Sequence, residues 1–158
     1  MFLVLGHDSR CIVHFNVTDH PTAERTGQQL REAFPFDQVP RYLFRDRDVF
    51  SDDFRRQVRD VGIHEVLSAP RSPWQRAFVE RVIGSIRREC PDHAIVCNAK
   101  SLHHVLASYF AYYHGSRTDL SLGKDSPEPR LIEPREMGRV VARPQVGGLH
   151  PRYQRRAA

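Results

Sequence analysis

Residues 62–89 read GIHEVLSAPRSPWQRAFVERVIGSIRRE, and the change of period inside this stretch decides the fold class. Ile63–Leu67 has the length and branching of a brief strand. Pro70 and Pro73 then impose an irregular loop, with Ser72 placed to cap and Pro73 to open a helix over roughly 73–89. Along that helix Trp74, Phe78, Val82 and Ile86 recur at i+4, with Val79 and Ile83 beside them, which predicts an apolar face packed on a sheet. Glu80 stands off this face. Its neighbours at helical spacing are Arg76, Gly84 and Arg87, a polar stripe whose plain reading is surface ion pairing contributing about tenths of a kcal/mol.

Upstream, Gly62 supplies a C-terminal stop for a helix over about 52–61, in which Phe54, Val58 and Val61 keep helical spacing. Before it, Arg41-Tyr-Leu-Phe44 reads as a short buried strand that ends at Arg45-Asp-Arg-Asp48. Carboxylates thus fall at a strand's carboxyl end, the edge where open α/β sheets bind ligands. The competing reading is that Asp46 and Asp48 solvate a turn and pair with Arg45 and Arg47. Farther back, Phe2–Leu5 and Cys11–Val17 flank the polar turn 6–10 as a hairpin, and Thr18-Asp-His-Pro21 is placed to cap a helix carrying Ala23, Thr26, Leu30 and Phe34.

Downstream, Leu102, Val105, Leu106, Tyr109, Phe110 and Tyr113 form another helical stripe and read as core. His103 and His104 fall outside it and face solvent. Beyond Gly115 the chain turns irregular, and its proline and glycine content from Pro127 predicts an extended tail. The net charge of +5 belongs to that tail: residues 130–158 carry 7 Lys+Arg against 2 Asp+Glu, leaving 17 of each in residues 1–129. Such an excess attracts polyanions without sequence preference, or is simply solvated. Three cysteines are too few for a disulfide framework, and Cys90, His93 and Cys97 match no usual zinc spacing. The apolar run Met1–Leu5 is too short for a signal peptide or a membrane span, so the expectation is a soluble cytoplasmic protein.

The residues now carry a resemblance. Arg45-Asp-Arg-Asp48, Gly62-Ile63, Ala69-Pro-Arg-Ser-Pro-Trp-Gln75, Val79-Glu-Arg81 and Ile83-Gly-Ser-Ile-Arg-Arg-Glu89, followed by Tyr112–Gly123 and Ser126-Pro127, resemble the integrase core of bacterial DDE transposases, which are similar to retroviral integrases. The resemblance implies an α/β, ribonuclease-H-like fold: a mixed sheet with flanking helices, here with its first strand missing. Residues 1–115 would be a partial catalytic core and residues 116–158 an irregular basic tail. It also implies that Asp, Asp and Glu hold two Mg²⁺ or Mn²⁺ ions for strand transfer, because hard dications beside a phosphate need several anionic oxygen ligands. DNA is the implied partner, acted on by multimers, with no membrane and no small-molecule cofactor.

Position by position, the second Asp falls on Asp46 and the Glu on Glu80, 34 positions later. Asp48 is the runner-up ligand. Arg71, Arg76, Arg81 and Arg87 are the implied nucleic-acid contacts. Two departures stand out. The first Asp belongs on a strand preceding the Phe2–Val17 hairpin, and Asp8 lies in the hairpin turn. Arg76 stands where the family usually has Asn, one helical turn before Glu80. Two functions remain open: a metal-dependent transposase core, or a truncated, inactive remnant that at most binds nucleic acid.

Overall fold

The computed structural model describes residues 1–35, 39–46 and 52–157, and divides into two compact units, Met1–Leu5 with Val13–Arg81 and Gly6–Ile12 with Val82–Ala158. Strands β1 (Phe2–Leu5) and β2 (Ile12–Asn16) form a two-stranded sheet. Their turn is closed by Gly6 N–H donating to the Cys11 carbonyl at 2.8 Å and Arg10 N–H donating to the Gly6 carbonyl at 2.9 Å.

In the first unit, helix α1 (Ala23–Ala33) is capped by Thr22, whose hydroxyl accepts from Arg25 N–H at 3.2 Å. The cap lies one residue past the Thr18–Pro21 segment, because a side-chain acceptor must sit three residues before the N–H it satisfies. Leu30 of α1 packs with Phe54 and Val58 of α2 (Asp52–Asp60) and with Ile63, and Phe34, Val39, Leu43 and Val61 close around them. Gly62, at φ +85°, ends α2 in the left-handed conformation that glycine adopts without strain.

Strands β3 (Tyr42–Arg45) and β4 (His64–Leu67) pair in parallel, Tyr42 with His64 and Arg45 with Leu67. Leu43, Arg45, Glu65 and Leu67 share the more buried face. Tyr42, Phe44, His64 and Val66 share the other, which is exposed. A parallel pair is ordinarily part of a larger sheet covered on both sides. Instead of one mixed sheet, the described residues hold three separate two-stranded sheets, within an α/β arrangement with four α-helices.

The helix expected over 73–89 begins as a 3-10 turn, Pro73–Arg76, and becomes α-helical only at α3 (Ala77–Glu89). Three residues at three per turn rather than 3.6 swing a side chain by about 60° relative to an α-helix. Trp74 therefore leaves the Phe78–Val82–Ile86 stripe and is 70% exposed, not core.

In the second unit, helix α4 (Ala99–Gly115) starts with a capping box between Asn98 and Ser101. It buries Leu106, Tyr109, Phe110 and Tyr113, while His103 and His104 are exposed as their spacing predicts. The segment expected to be an irregular tail contains an antiparallel hairpin, β5 (Arg139–Gln145) and β6 (His150–Arg156). Gly147 and Gly148, at φ +65° and +97°, make the reversal. Pro144 and Pro151 face each other across the ladder, so the two residues that lack an N–H share one position and interrupt the pairing once.

Candidate functional site

The site grows from the carboxyl end of the parallel pair. Arg45, 7% exposed, turns inward, where its Nε donates to Glu65 at 2.5 Å and its guanidinium lies over the Phe54 ring at 5.9 Å. Its Nη1 also donates to the Asp46 carbonyl at 2.5 Å, holding the backbone just past β3. Asp46 is thereby presented at the strand edge. Buried Ser68, the residue after β4, continues the ladder by donating its N–H to the Arg45 carbonyl at 3.0 Å, and its hydroxyl donates to Asp46 Oδ1 at 3.2 Å.

Arg76 closes the other side. Its Nη1 donates to Asp46 Oδ2, and its Nη2 lies 3.6 Å from Glu80 Oε1, one helical turn on. The 3-10 turn that displaces Trp74 is what points Arg76 back to the sheet edge. Gln75 steadies that turn by accepting the Ala69 N–H at 2.8 Å. One guanidinium thus bridges the two carboxylates that the sequence singles out. The Arg45 guanidinium, for its part, takes Glu65. Asp48 and Arg47 lie outside the described residues. Arg71, Arg81 and Arg87 are exposed, and of the four arginines named above only Arg76 is brought against these carboxylates among the described residues.

Asp46 and Glu80 by themselves are too few to make a two-metal centre. Two carboxylates face one another across a cation already in place, and no group of three or more His, Cys, Asp or Glu able to hold a metal occurs among the described residues. Two dications beside a phosphate need more anionic ligands than this. The cluster is open to solvent, with the Asp46, Arg76 and Glu80 side chains 34%, 36% and 53% exposed, so these pairs hold the fold together only weakly, by less than about 1 kcal/mol each. What the arrangement offers chemically is a planar cationic fork at a sheet edge, flanked by carboxylates that can release it to an anion.

A second arginine–carboxylate cluster lies in the second unit, and the motifs quoted above contain its Ser85, Glu89 and Arg117 without joining them. Arg117 grips both oxygens of Glu89, with Nη2 to Oε1 at 2.7 Å and Nε to Oε2 at 2.8 Å, and its Nη2 also donates to Ser85 at 3.0 Å. Tyr109 donates its hydroxyl to Glu89 Oε2 at 2.8 Å, and the His150 ring meets the Glu89 carbonyl at 2.8 Å while stacking on Tyr112. Burial pushes the Glu89 carboxyl up, but the hydrogen bonds from Arg117 and Tyr109 outweigh it and hold the group below its ordinary range. Burial, then the adjacent carboxylate, pushes Tyr109 well up. This cluster ties the end of α3 to α4, and its 28-residue sequence separation hides it from any local pattern.

Residues 61–127 match the model of the integrase core domain family, an interval that contains β4, α3 with Glu80, and α4. That segment is integrase-core-like. No curated protein and no solved structure matches the chain. Among the described residues no helix is long and apolar enough to cross a membrane.

Proposed function

We propose that the chain is an integrase/transposase-type protein that handles DNA, and that its Asp46–Arg76–Glu80 cluster, closed by an internal cation, does not catalyse strand transfer in this form. The observation that carries this reading is the bridging guanidinium, which occupies the space between the two carboxylates a metal would need. A ribonuclease-H-like ancestry is supported by the parallel β3–β4 pair with an acidic residue at its carboxyl edge and by the integrase core match. Arg71, Arg81 and Arg87 are the exposed cations through which this reading has the core meet DNA phosphates, with Arg76 joining when its carboxylates release it. Self-association belongs to the same reading and rests on the resemblance, and a cytoplasmic location rests on the three scattered cysteines and the short apolar run Met1–Leu5.

One observation favours the second reading, metal-dependent strand transfer by this scaffold: a single guanidinium reaches both Asp46 and Glu80, so the two carboxylates converge. The test is to incubate the purified chain with Mn²⁺ and labelled DNA of varied end structure. Salt-sensitive binding without nicking or joining is the expected result. Metal-dependent nicking that disappears in Asp46→Asn and Glu80→Gln would overturn the proposal in favour of the catalytic reading.

A further inference from the structure

We propose that Arg139, Arg143 and Arg156, exposed on one face of the β5–β6 hairpin beside the half-buried Arg152, form a second binding surface, for the phosphodiester backbone of nucleic acid. The idea takes its ligand from the DNA-handling reading, but its evidence is separate. Residues 139–156 contain five arginines and no aspartate or glutamate. The register sets Arg139 opposite Arg156 and Arg143 opposite Arg152. Because side chains alternate between faces, all four lie on one face, while Arg155, Tyr153 and Val140 lie on the other.

Directly opposed like charges destabilise a strand pair, and this ribbon contains two such pairs. No carboxylate within the ribbon offsets them. Arg139 and Arg156 are exposed, and no ion pair or side-chain hydrogen bond is seen for either among the described residues. Arg143 has a neutral acceptor, the Gln154 amide oxygen in the orientation that satisfies both groups. Arg152 is half-buried with its Nε unpartnered. The nearby Glu133 is engaged elsewhere, accepting from the Arg155 backbone N–H. Gly138, at φ +106°, packs against the Arg156 backbone where a Cβ would collide, which helps fix the register that makes the pairs.

An anionic partner removes the repulsion that the ribbon cannot remove by itself. The two arginine pairs are four residues apart, about 13 Å along an antiparallel strand. A duplex presents one charge per roughly 1.7 Å of axis, so such a row meets phosphates in any sequence register. Arginine rather than lysine at all four positions suits phosphate, whose oxygens accept the guanidinium fork bidentately.

The test measures binding of the full chain to a fluorescently labelled duplex by anisotropy over a series of salt concentrations. Arg139→Gln/Arg156→Gln is compared with Arg25→Gln/Arg59→Gln, which removes the same charge from exposed positions on α1 and α2. For the hairpin variant the slope of log affinity against log salt should become shallower by about 1.8, and affinity near 0.1 M salt should fall about tenfold or more. Arg139→Lys/Arg156→Lys should keep most of the slope. Melting temperature of the glutamine variant should hold or rise, since a repulsion has been removed. Equal losses in the hairpin and control variants, or an unchanged slope in the hairpin variant, would overturn this proposal alone. Failure of the wild-type chain to bind nucleic acid at any salt would sink both this proposal and the DNA-handling reading. Binding to polyglutamate but not DNA through the same arginines would overturn it in favour of an acidic protein partner.

Discussion

Helix α3 carries two glutamates nine positions apart, and each meets an arginine, yet the two pairs are different devices. Glu80 is half-exposed and faces Arg76 across 3.6 Å, a neighbour supplied by the preceding turn. Glu89 is gripped through both oxygens by Arg117, takes a third bond from Tyr109, and keeps a quarter of its side chain in solvent. The first pairing costs little to open. The second exists only because the folded chain returns Arg117 to the helix end, and three groups lose partners when it opens. A contact between Arg and Glu therefore indicates a loosely held edge or a structural tie according to burial and valence, not residue type.

The largest effect should come from breaking the tie. Arg117→Ala leaves Glu89 partly buried without its counter-charge and strips Ser85 of a bond, which should destabilise the chain by about 2–3 kcal/mol in urea unfolding. A loss below about 1 kcal/mol would place Glu89 in the same class as Glu80. The tie should also show in acid. Because the folded Glu89 is held below its ordinary pKa, its contribution is fully present above that value and is lost as pH falls through the lowered one, where the unfolded chain binds more protons. Between about pH 6 and about pH 3.5 the wild type should lose more stability than Glu89→Gln. Parallel profiles for the two would remove Glu89 as a source of the acid sensitivity.

The edge should behave in the opposite way, responding in binding and barely in stability. Arg76→Asn should change unfolding free energy by less than about 1 kcal/mol. It should also raise Mn²⁺ affinity about tenfold by calorimetry, because a fixed positive charge beside two carboxylates has been withdrawn. An unchanged affinity would mean that the two carboxylates do not converge on an ion even when free of Arg76.

How much of this was legible follows from the range of each interaction. Periodic burial was: Leu30, Phe54, Val58, Leu106, Tyr109 and Tyr113 are all buried where helical spacing puts them, and Gly62 ends its helix as glycine does. The Asp46–Arg76–Glu80 cluster was half legible, since Glu80 and Arg76 share a local stripe and Asp46 ends a strand, but their meeting needed the fold. Trp74 was misplaced because a 3-10 turn and an α-turn look alike in sequence while rotating side chains differently. The 139–156 hairpin was hidden by prolines that ordinarily exclude strands and here face each other in the ladder. Among the described residues the strands form three pairs where the resemblance implies one sheet, because pairing partners are set by contacts no local pattern records.

The smallest expected effect probes the helix that bears both glutamates. Gly84 lies on α3 between Glu80 and Glu89, where glycine weakens a helix by about 0.5–1 kcal/mol relative to alanine. A Cβ there would meet the far end of the Arg88 side chain, with Nη1 at 3.1 Å, and Arg88 is exposed and long enough to shift by a few tenths of an ångström. Gly84→Ala should therefore stabilise the chain by up to about 0.5–1 kcal/mol in urea unfolding while leaving Mn²⁺ and DNA affinity unchanged. Stabilisation with unchanged binding would mean that the helix only carries the two pairs, and that their difference resides in Arg76 and Arg117. A loss of stability would show instead that Arg88 cannot yield. In that case the small residue beside Glu80 is required by packing around the helix, and the edge is less free to rearrange than its exposure indicates.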